Sequence, residues 1–208
     1  MASVLVIGSS QVNRFQQYIN NHPAFDNFNL NGHVTVSLIG ISGGRIENNN
    51  HCLSWENEII RVSPNRVLVQ IGGNDLDCGE AGFSLAEEII LRIISVCSTY
   101  LSRHNVEHAT VMQLLPRTQT RNCTVARYNN LVRHANKFVK EQIKSVPGLH
   151  YWNIYGVKYT TVNISRTAYI LTKLIYNAIT EMLVVPLSSL TVIKDGKYLL
   201  YILIWQWF

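Results

Sequence analysis

The sequence lacks the features that mark several large classes of protein. Its formal charge is +5 over 208 residues, but Lys and Arg are scattered, and no run of them is dense enough to indicate a nucleic-acid partner. No apolar segment is long enough and free enough of charge to predict a membrane span; the most apolar stretch, residues 198–208, is far too short. No linker divides the chain, whose length suits one well-buried domain.

Cysteine is also scarce. The four cysteines are Cys52, Cys78, Cys97 and Cys123. Their spacing is not that of metal ligands, so no metal site is predicted. Met1-Ala2-Ser3 leads straight into a predicted strand without a secretory signal. We therefore expect reduced thiols and a cytoplasmic or otherwise intracellular setting.

Short apolar segments alternate with amphipathic ones along most of the chain. Strands are predicted at residues 4–7, 34–39, 66–71, 109–115 and 150–154. Helices are predicted at residues 11–20, 84–103 and 125–143, with a partly helical segment at 45–62. Ser84 and Glu87 have the spacing of a capping box. This alternation predicts an α/β fold with a three-layer α/β/α architecture, a parallel five-stranded sheet and the flavodoxin-like order 2-1-3-4-5.

Three of the predicted strands end in small, glycine-rich turns. These turns are Gly8-Ser9-Ser10, Gly40-Ile41-Ser42-Gly43-Gly44 and Gly72-Gly73-Asn74-Asp75. In a parallel sheet they share one edge, so a hydroxyl, a backbone N–H and a side-chain amide should converge there. Acyl transfer requires such groups, because the hydroxyl attacks and the N–H donors stabilise the oxyanion. Taken alone, the first turn also fits a serine that merely caps the next helix.

Together the turns resemble the first three sequence blocks of the SGNH (GDSL-type) hydrolases, although Ser9 stands where the family usually has Asp. The resemblance extends to about residue 165, and Gly-x-Asn-Asp is its most specific part. It implies that Ser10 is the nucleophile, that Gly43 supplies an oxyanion N–H and that Asn74 supplies the amide donor. It also implies a further donor in the Ser10 N–H, a small-molecule or sugar ester as substrate, and no cofactor.

The general base expected for such a serine is missing from the sequence. The family takes its acid and base from a late Asp-x-x-His block, often Asp-Gly-Val-His-Leu-Asn. Here Thr167 and Ile170 occupy the two positions, and neither side chain can accept a proton from Ser10. No other histidine is predicted to reach a carboxyl strand end; they are His22, His33, His51, His104, His108, His134 and His150. The chain as it stands is therefore predicted to be a very poor enzyme.

The codons that residues 166–172 permit contain the missing block in another frame. An Arg codon ending in G, followed by ACG GCG TAC ATC TTA and a Thr codon, can be read from that final G. The result is GAC GGC GTA CAT CTT AAC, which encodes Asp-Gly-Val-His-Leu-Asn. We therefore hypothesise a one-base frame slip near Arg166. It divides the chain into a hydrolase-like domain at 1–165 and a degenerate or out-of-frame segment at 166–208, whose apolar end otherwise fits an added edge strand.

Two functions without ester chemistry remain open from the sequence. A non-catalytic ligand-binding module, a pseudoenzyme, would use the same cleft without turnover. A flavodoxin-like domain that binds phosphate or a nucleotide is less favoured. None of the three turns has the spacing of a phosphate-binding glycine loop, and no lysine follows them.

Overall fold

Five parallel strands form the centre of the structure. The computed structural model describes residues 2–21, 34–79 and 82–153, which belong to one compact unit of the chain. The strands are β1 (Ala2–Gly8), β2 (Val34–Gly40), β3 (Arg66–Gln70), β4 (His108–Met112) and β5 (Leu149–Trp152). They pair in the order β2-β1-β3-β4-β5. The predicted fold class and the strand order 2-1-3-4-5 are confirmed.

The helices alternate with the strands along the chain and complete a three-layer α/β/α architecture. They are α1 (Ser10–Asn21), α2 (Asn49–Val62), α3 (Phe83–Arg103) and α4 (Val125–Gln142), and a 3-10 turn, Ile143–Ser145, follows α4. The predicted capping box is wrong, because α3 begins before Ser84. Its N-cap is Gly82, which has no side chain to bond the first turn, and Glu87 instead bonds His134 at 2.8 Å.

Burial follows the hydrophobic pattern closely. The apolar run in β1 is fully buried, from Val4 to Ile7, because β1 has a strand on each side and an α/β sheet is covered on both faces. In α3 the apolar residues at helical spacing face the same core; the buried ones include Ile89, Ile90, Ile93 and Ile94. The strands and the helices packed on them are therefore held by a continuous core, which fixes the positions of the turns that follow the strands.

The fourth strand is shorter than predicted. The N–H of Gln113 still donates to the carbonyl of Trp152 at 3.0 Å, but beyond it side chains of α4 replace the neighbouring strand as the hydrogen-bond partner of the backbone. Asn136 bonds both the N–H and the carbonyl of Leu114, each at 2.9 Å. Asn129 does the same for Arg117, at 2.9 and 3.0 Å. Two buried or half-buried amides thus set the path of the loop that leaves β4.

Three further predictions concern the cysteines, a membrane span and the C-terminal segment. All four cysteines are free thiols. Within the described ranges, no helix has the length and apolar character needed to cross a bilayer. The division at 165/166, the positions Thr167 and Ile170 and the tail at 198–208 lie outside the described residues and stay predictions.

Candidate active site

Ser10 is the first residue of α1, directly after the end of β1. The preceding residue, Ser9, is buried and occupies the cap position, where its carbonyl accepts the N–H of Asn13 at 3.1 Å. Ser10 is only half-buried, and its hydroxyl has no hydrogen-bond partner in the described part of the chain. Its backbone N–H belongs to the first turn, whose donors have no partner within the helix. Both groups are therefore available at the carboxyl edge of the sheet.

The three glycine-rich turns are hydrogen-bonded to one another. The N–H of Ile41 donates to the carbonyl of Gly8 at 2.9 Å, which joins the second turn to the first. The N–H of Ser9 donates at 3.3 Å to the carbonyl of Gln70, the last residue of β3, two positions before the third turn. The Nδ2 of Asn74 donates to the carbonyl of Gly44 at 3.0 Å and closes the set. The structure thus brings together the turns that carry Ser10, Gly43 and Asn74.

Glycine is needed at two positions of the second turn for different reasons. A Cβ at Gly40 would lie 1.9 Å from the backbone nitrogen of Asn13, so only glycine allows β2 to end against α1. Gly43 is exposed, has a φ of +72° and would place a Cβ in open space. Its backbone conformation, rather than crowding, favours glycine there. The Gly43 N–H has no hydrogen-bond partner among the described residues.

The side chain of Asn74 is held between a donor and an acceptor. Its Oδ1 accepts a hydrogen bond from Nη2 of Arg117 at 2.7 Å, while its Nδ2 donates to Gly44. A guanidinium only donates and a carbonyl only accepts, so the two neighbours fix which way the amide faces. One N–H of the Asn74 amide remains without a partner in the described ranges.

The contact between Arg117 and Asn74 was not predicted from the sequence. The Nη1 of Arg117 donates to Oδ2 of Asp77 at 3.0 Å, and its guanidinium lies 4.9 Å from the centre of the Tyr128 ring. The buried Asp77 carboxylate also accepts the backbone N–H groups of Arg121 and Asn122. Burial alone would raise the pKa of Asp77, but these N–H donors and the Arg117 charge outweigh it and hold the pKa below its usual value.

Asp75 anchors the second turn to the third. Its Oδ1 accepts the N–H of Glu47 at 3.3 Å, while its buried Oδ2 has no hydrogen-bond partner among the described residues. Burial raises the pKa of Asp75, although the N–H of Glu47 opposes that effect. The side chain therefore holds the chain that leaves Gly44 close to Asn74.

No described histidine is hydrogen-bonded to Ser10. His51 lies in α2, where its Nδ1 accepts the N–H of Arg45 at 3.1 Å. That bond places the ring proton on Nε2, so neither nitrogen is free to act as a base in this tautomer. The others bond elsewhere: His104 to Glu56, His134 to Glu87, and His108 to His150. His22 and His33 lie outside the described residues.

Within those same ranges, no group of three or more His, Cys, Asp or Glu side chains is placed to hold a metal ion. The polar groups that converge at the carboxyl edge are a hydroxyl, amide N–H groups and one paired arginine. These groups suit the binding of a carbonyl oxygen and its oxyanion.

Neither a family model nor a curated protein sequence matches the chain. Solved structures do match it. One is a protein from Bacteroides fragilis assigned as an acylhydrolase, with 17% identity over 87% of this chain and 88% of that one and a TM-score of 0.62. Another is a GDSL-like lipase from Bacteroides thetaiotaomicron, with 19% identity, coverage of 86% and 88%, and a TM-score of 0.61.

The chain has the SGNH hydrolase fold. A mutant of an acetylxylan esterase from Geobacillus stearothermophilus is also similar, with 14% identity, coverage of 86% and 94%, and a TM-score of 0.55. This SGNH fold is thus shared with esterases and acylhydrolases. At these identities the likeness concerns the fold, and the chemistry must be argued from the site.

Proposed function

We propose that this SGNH-fold domain is built for ester hydrolysis, with Ser10 as the nucleophile and with N–H groups of Gly43, Ser10 and Asn74 as the oxyanion donors. The observation that supports this most is the direct hydrogen bonding among the three turns that carry these residues. Among the described residues, a hydroxyl and several N–H donors stay unpaired at the carboxyl edge of the sheet, and acyl transfer requires such groups.

In the proposed reaction the Ser10 hydroxyl passes its proton to a base, which is water in the chain as it stands. Its oxygen bonds the ester carbonyl carbon while the carbonyl electron pair moves to the carbonyl oxygen. The N–H donors stabilise that negative charge. The bond from carbon to the leaving alcohol then breaks as the alcohol oxygen takes a proton. Water hydrolyses the acyl-serine to the acid and restores the Ser10 hydroxyl.

The proton steps need a base that the sequence does not supply, because Thr167 and Ile170 stand where the family has Asp and His. An oxyanion hole with bound substrate still accelerates a reaction when the triad is broken, by about 10³- to 10⁴-fold over water. The chain as it stands should therefore turn over slowly, whereas a chain with Asp-Gly-Val-His-Leu-Asn restored should be an active esterase.

The nucleophile is tested by labelling the full chain with a fluorophosphonate. Attack by Ser10 forms an oxygen–phosphorus bond and releases fluoride, and intact-mass and peptide mass spectrometry locate the adduct. We expect one adduct, at Ser10, that is lost in Ser10→Ala and kept in the neighbouring control Ser9→Ala. No adduct on the wild-type chain at any probe concentration would overturn the proposed chemistry.

The frame slip has a separate test. Genomic DNA and transcript are sequenced across codons 155–185, and a one-base difference that restores the Asp-x-x-His block supports an active natural enzyme. An intact frame with the codons as translated means that the base is lost. In that case the binding-module function gains support.

The second candidate, a non-catalytic module that binds an acyl or sugar ligand in the same cleft, has one observation in its favour. Each described histidine is bonded to a group other than Ser10, so the described part of the site has no ready base. Calorimetry with acetylated oligosaccharides distinguishes the two. Saturable binding without labelling of Ser10 favours the module, and labelling with turnover favours the enzyme.

A further inference from the structure

We propose that Arg117 is a positioning residue that orients the amide of Asn74 as an oxyanion donor. The inference rests on the proposed function, in which Asn74 donates to the oxyanion. Arg117 lies 43 positions from Asn74 in the sequence, and the fold brings its Nη2 to 2.7 Å from the Asn74 Oδ1.

The contact matters because the two ends of an asparagine amide, NH₂ and oxygen, have opposite hydrogen-bonding character. Its NH₂ would stabilise an oxyanion, whereas its oxygen would repel one. With Oδ1 bonded to Arg117 and one N–H bonded to the Gly44 carbonyl, the second N–H has no partner in the described part of the chain and remains for a ligand. Without Arg117, rotation of the amide by 180° would present the oxygen instead.

The positive charge of Arg117 also strengthens the donor. A charged hydrogen bond to Oδ1 draws electron density toward the oxygen and makes the N–H groups of the same amide better donors. The Asp77 carboxylate, 3.0 Å from Nη1, balances the charge. Arg117 therefore acts through Asn74 and is not a free cation for an anionic substrate.

The arginine is itself held rigidly, as a positioning residue must be. Asn129 bonds its backbone on both sides, and the ring of Tyr128 lies against the guanidinium. The two nitrogens of its fork reach different acceptors, Asp77 and Asn74. A lysine has a single nitrogen and cannot reproduce that geometry.

The first test compares second-order rate constants for fluorophosphonate labelling of Ser10 in the full chain. Loss of one oxyanion donor, in Asn74→Ala, should slow labelling about 10²-fold, and Arg117→Met should slow it about tenfold. Arg117→Lys should fall between Arg117→Met and wild type. Arg121→Met is the matched control, since this arginine lies in the same loop with an exposed side chain.

A double-mutant cycle separates positioning from a merely structural role. If Arg117 acts through Asn74, Arg117→Met should slow labelling no further in the Asn74→Ala background. An equal slowing in both backgrounds would overturn the inference. Thermal melting of each variant checks folding, and Arg117→Lys, which keeps the charge against Asp77, provides a folded variant if Arg117→Met does not fold.

A second measurement does not depend on the proposed chemistry. In the ¹⁵N-labelled full chain, the side-chain NH₂ protons of Asn74 should exchange with solvent at least about fivefold faster in Arg117→Met than in Arg121→Met. The reason is that the Asn74 amide is no longer held by Arg117. Unchanged exchange overturns the positioning role of Arg117. A wild-type chain that shows protected Asn74 protons but no adduct at Ser10 instead overturns the proposed function and leaves the orientation of the amide supported.

Discussion

The two edges of the parallel sheet use their polar groups in opposite ways. At the amino edge, polar side chains are paired. The Oδ1 of Asn65 accepts the N–H of Ser3 at 3.1 Å, and its Nδ2 donates to Glu107 at 3.2 Å. His108 and His150, on neighbouring strands, bond each other at 3.1 Å. These contacts tie the starts of four strands together.

At the carboxyl edge, side chains bond backbone in a way that leaves donors free. The Asn74 amide joins two turns and still has one unpaired N–H among the described residues, and Ser10 and Gly43 keep an unpaired hydroxyl and N–H. Unpaired donors thus lie at the carboxyl edge beside stabilising contacts, whereas the polar side chains named at the amino edge only stabilise, and ligand sites of open α/β sheets lie at the carboxyl edge. The following substitutions test that difference.

The largest effect is expected at Gly40, where the turn of the carboxyl edge depends on a close backbone approach. Gly40→Ala should lower the free energy of unfolding by about 4 kcal/mol or more, because its Cβ would meet the Asn13 backbone. Gly43→Ala, in the same turn, should cost only about 1 kcal/mol, since strain from its positive φ is the sole penalty. Urea unfolding measures both, and equal losses would contradict the assignment of crowding to Gly40.

A matched pair of asparagines tests the difference between the edges directly. Asn65→Ala should lower the free energy of unfolding by about 2 kcal/mol, because it leaves a half-buried N–H of Ser3 without an acceptor. Its labelling rate at Ser10 should stay within about twofold of wild type, whereas Asn74→Ala should lose about 10²-fold in that rate. If each variant loses stability and labelling in the same proportion, the two edges are not separate in function.

Asp77 gives the carboxyl edge a predicted dependence on pH. Asp77→Asn should cost about 2 kcal/mol at pH 7, since the buried carboxylate accepts backbone N–H groups and the Arg117 fork. The pKa of Asp77 is lowered in the folded chain, so its stabilising effect is full above the unfolded pKa and is lost as pH falls through the folded pKa. The stabilities of wild type and variant should therefore begin to converge as pH falls below about 4, and a gap that stays constant as pH is lowered further would contradict this.

The smallest effect is expected at the amino edge. Partial burial of the ring, and then the charges of His108 and Arg66, lower the pKa of His150, so the folded chain disfavours its charged form. The unfolded chain then binds more protons below the ordinary histidine pKa, and stability should decline as pH falls through that range. His150→Gln should remove only a few tenths of a kcal/mol of this decline, because the pair is exposed and screened. Melting temperatures from pH 7.5 to 5 provide the measurement, with His134→Gln as control.

The fold could be predicted because its causes are local and periodic. Apolar runs of strand length, helices at a spacing of 3.6 residues and glycine at strand ends are all visible in the sequence, and they led to the observed strand order. The extent of the fourth strand was predicted wrongly because a residue distant in sequence intervenes. The fourth strand was predicted to reach Leu115, but Asn136 on α4 takes over the backbone bonds of Leu114.

The candidate site was predicted only in part for the same reason. The turns that carry Ser10, Gly43 and Asn74 can be found in the sequence because they are glycine-rich and follow apolar strands, and in the structure they are hydrogen-bonded to one another. The hydrogen bond from Arg117 to Asn74 joins residues 43 positions apart in the sequence, and the ion pair of Arg117 with Asp77 joins residues 40 positions apart. No spacing rule relates them, although a lone arginine after Leu-Leu-Pro and an aspartate after Gly-x-Asn-Asp were available as signals.

The paired amides of α4 have a consequence for how this protein can vary. Hydrogen bonds from Asn136 and Asn129 fix the backbone up to Arg117. The carboxylate of Asp77 fixes it again by accepting the N–H of Arg121. Between these anchors, Thr118 and Gln119 are exposed. Substitutions and short insertions there would change the surface next to Arg117 while the anchored contacts of Arg117 and Asn74 stay in place. Under the proposed function, ligand preference could then diversify in one short surface segment without changes to the oxyanion donors.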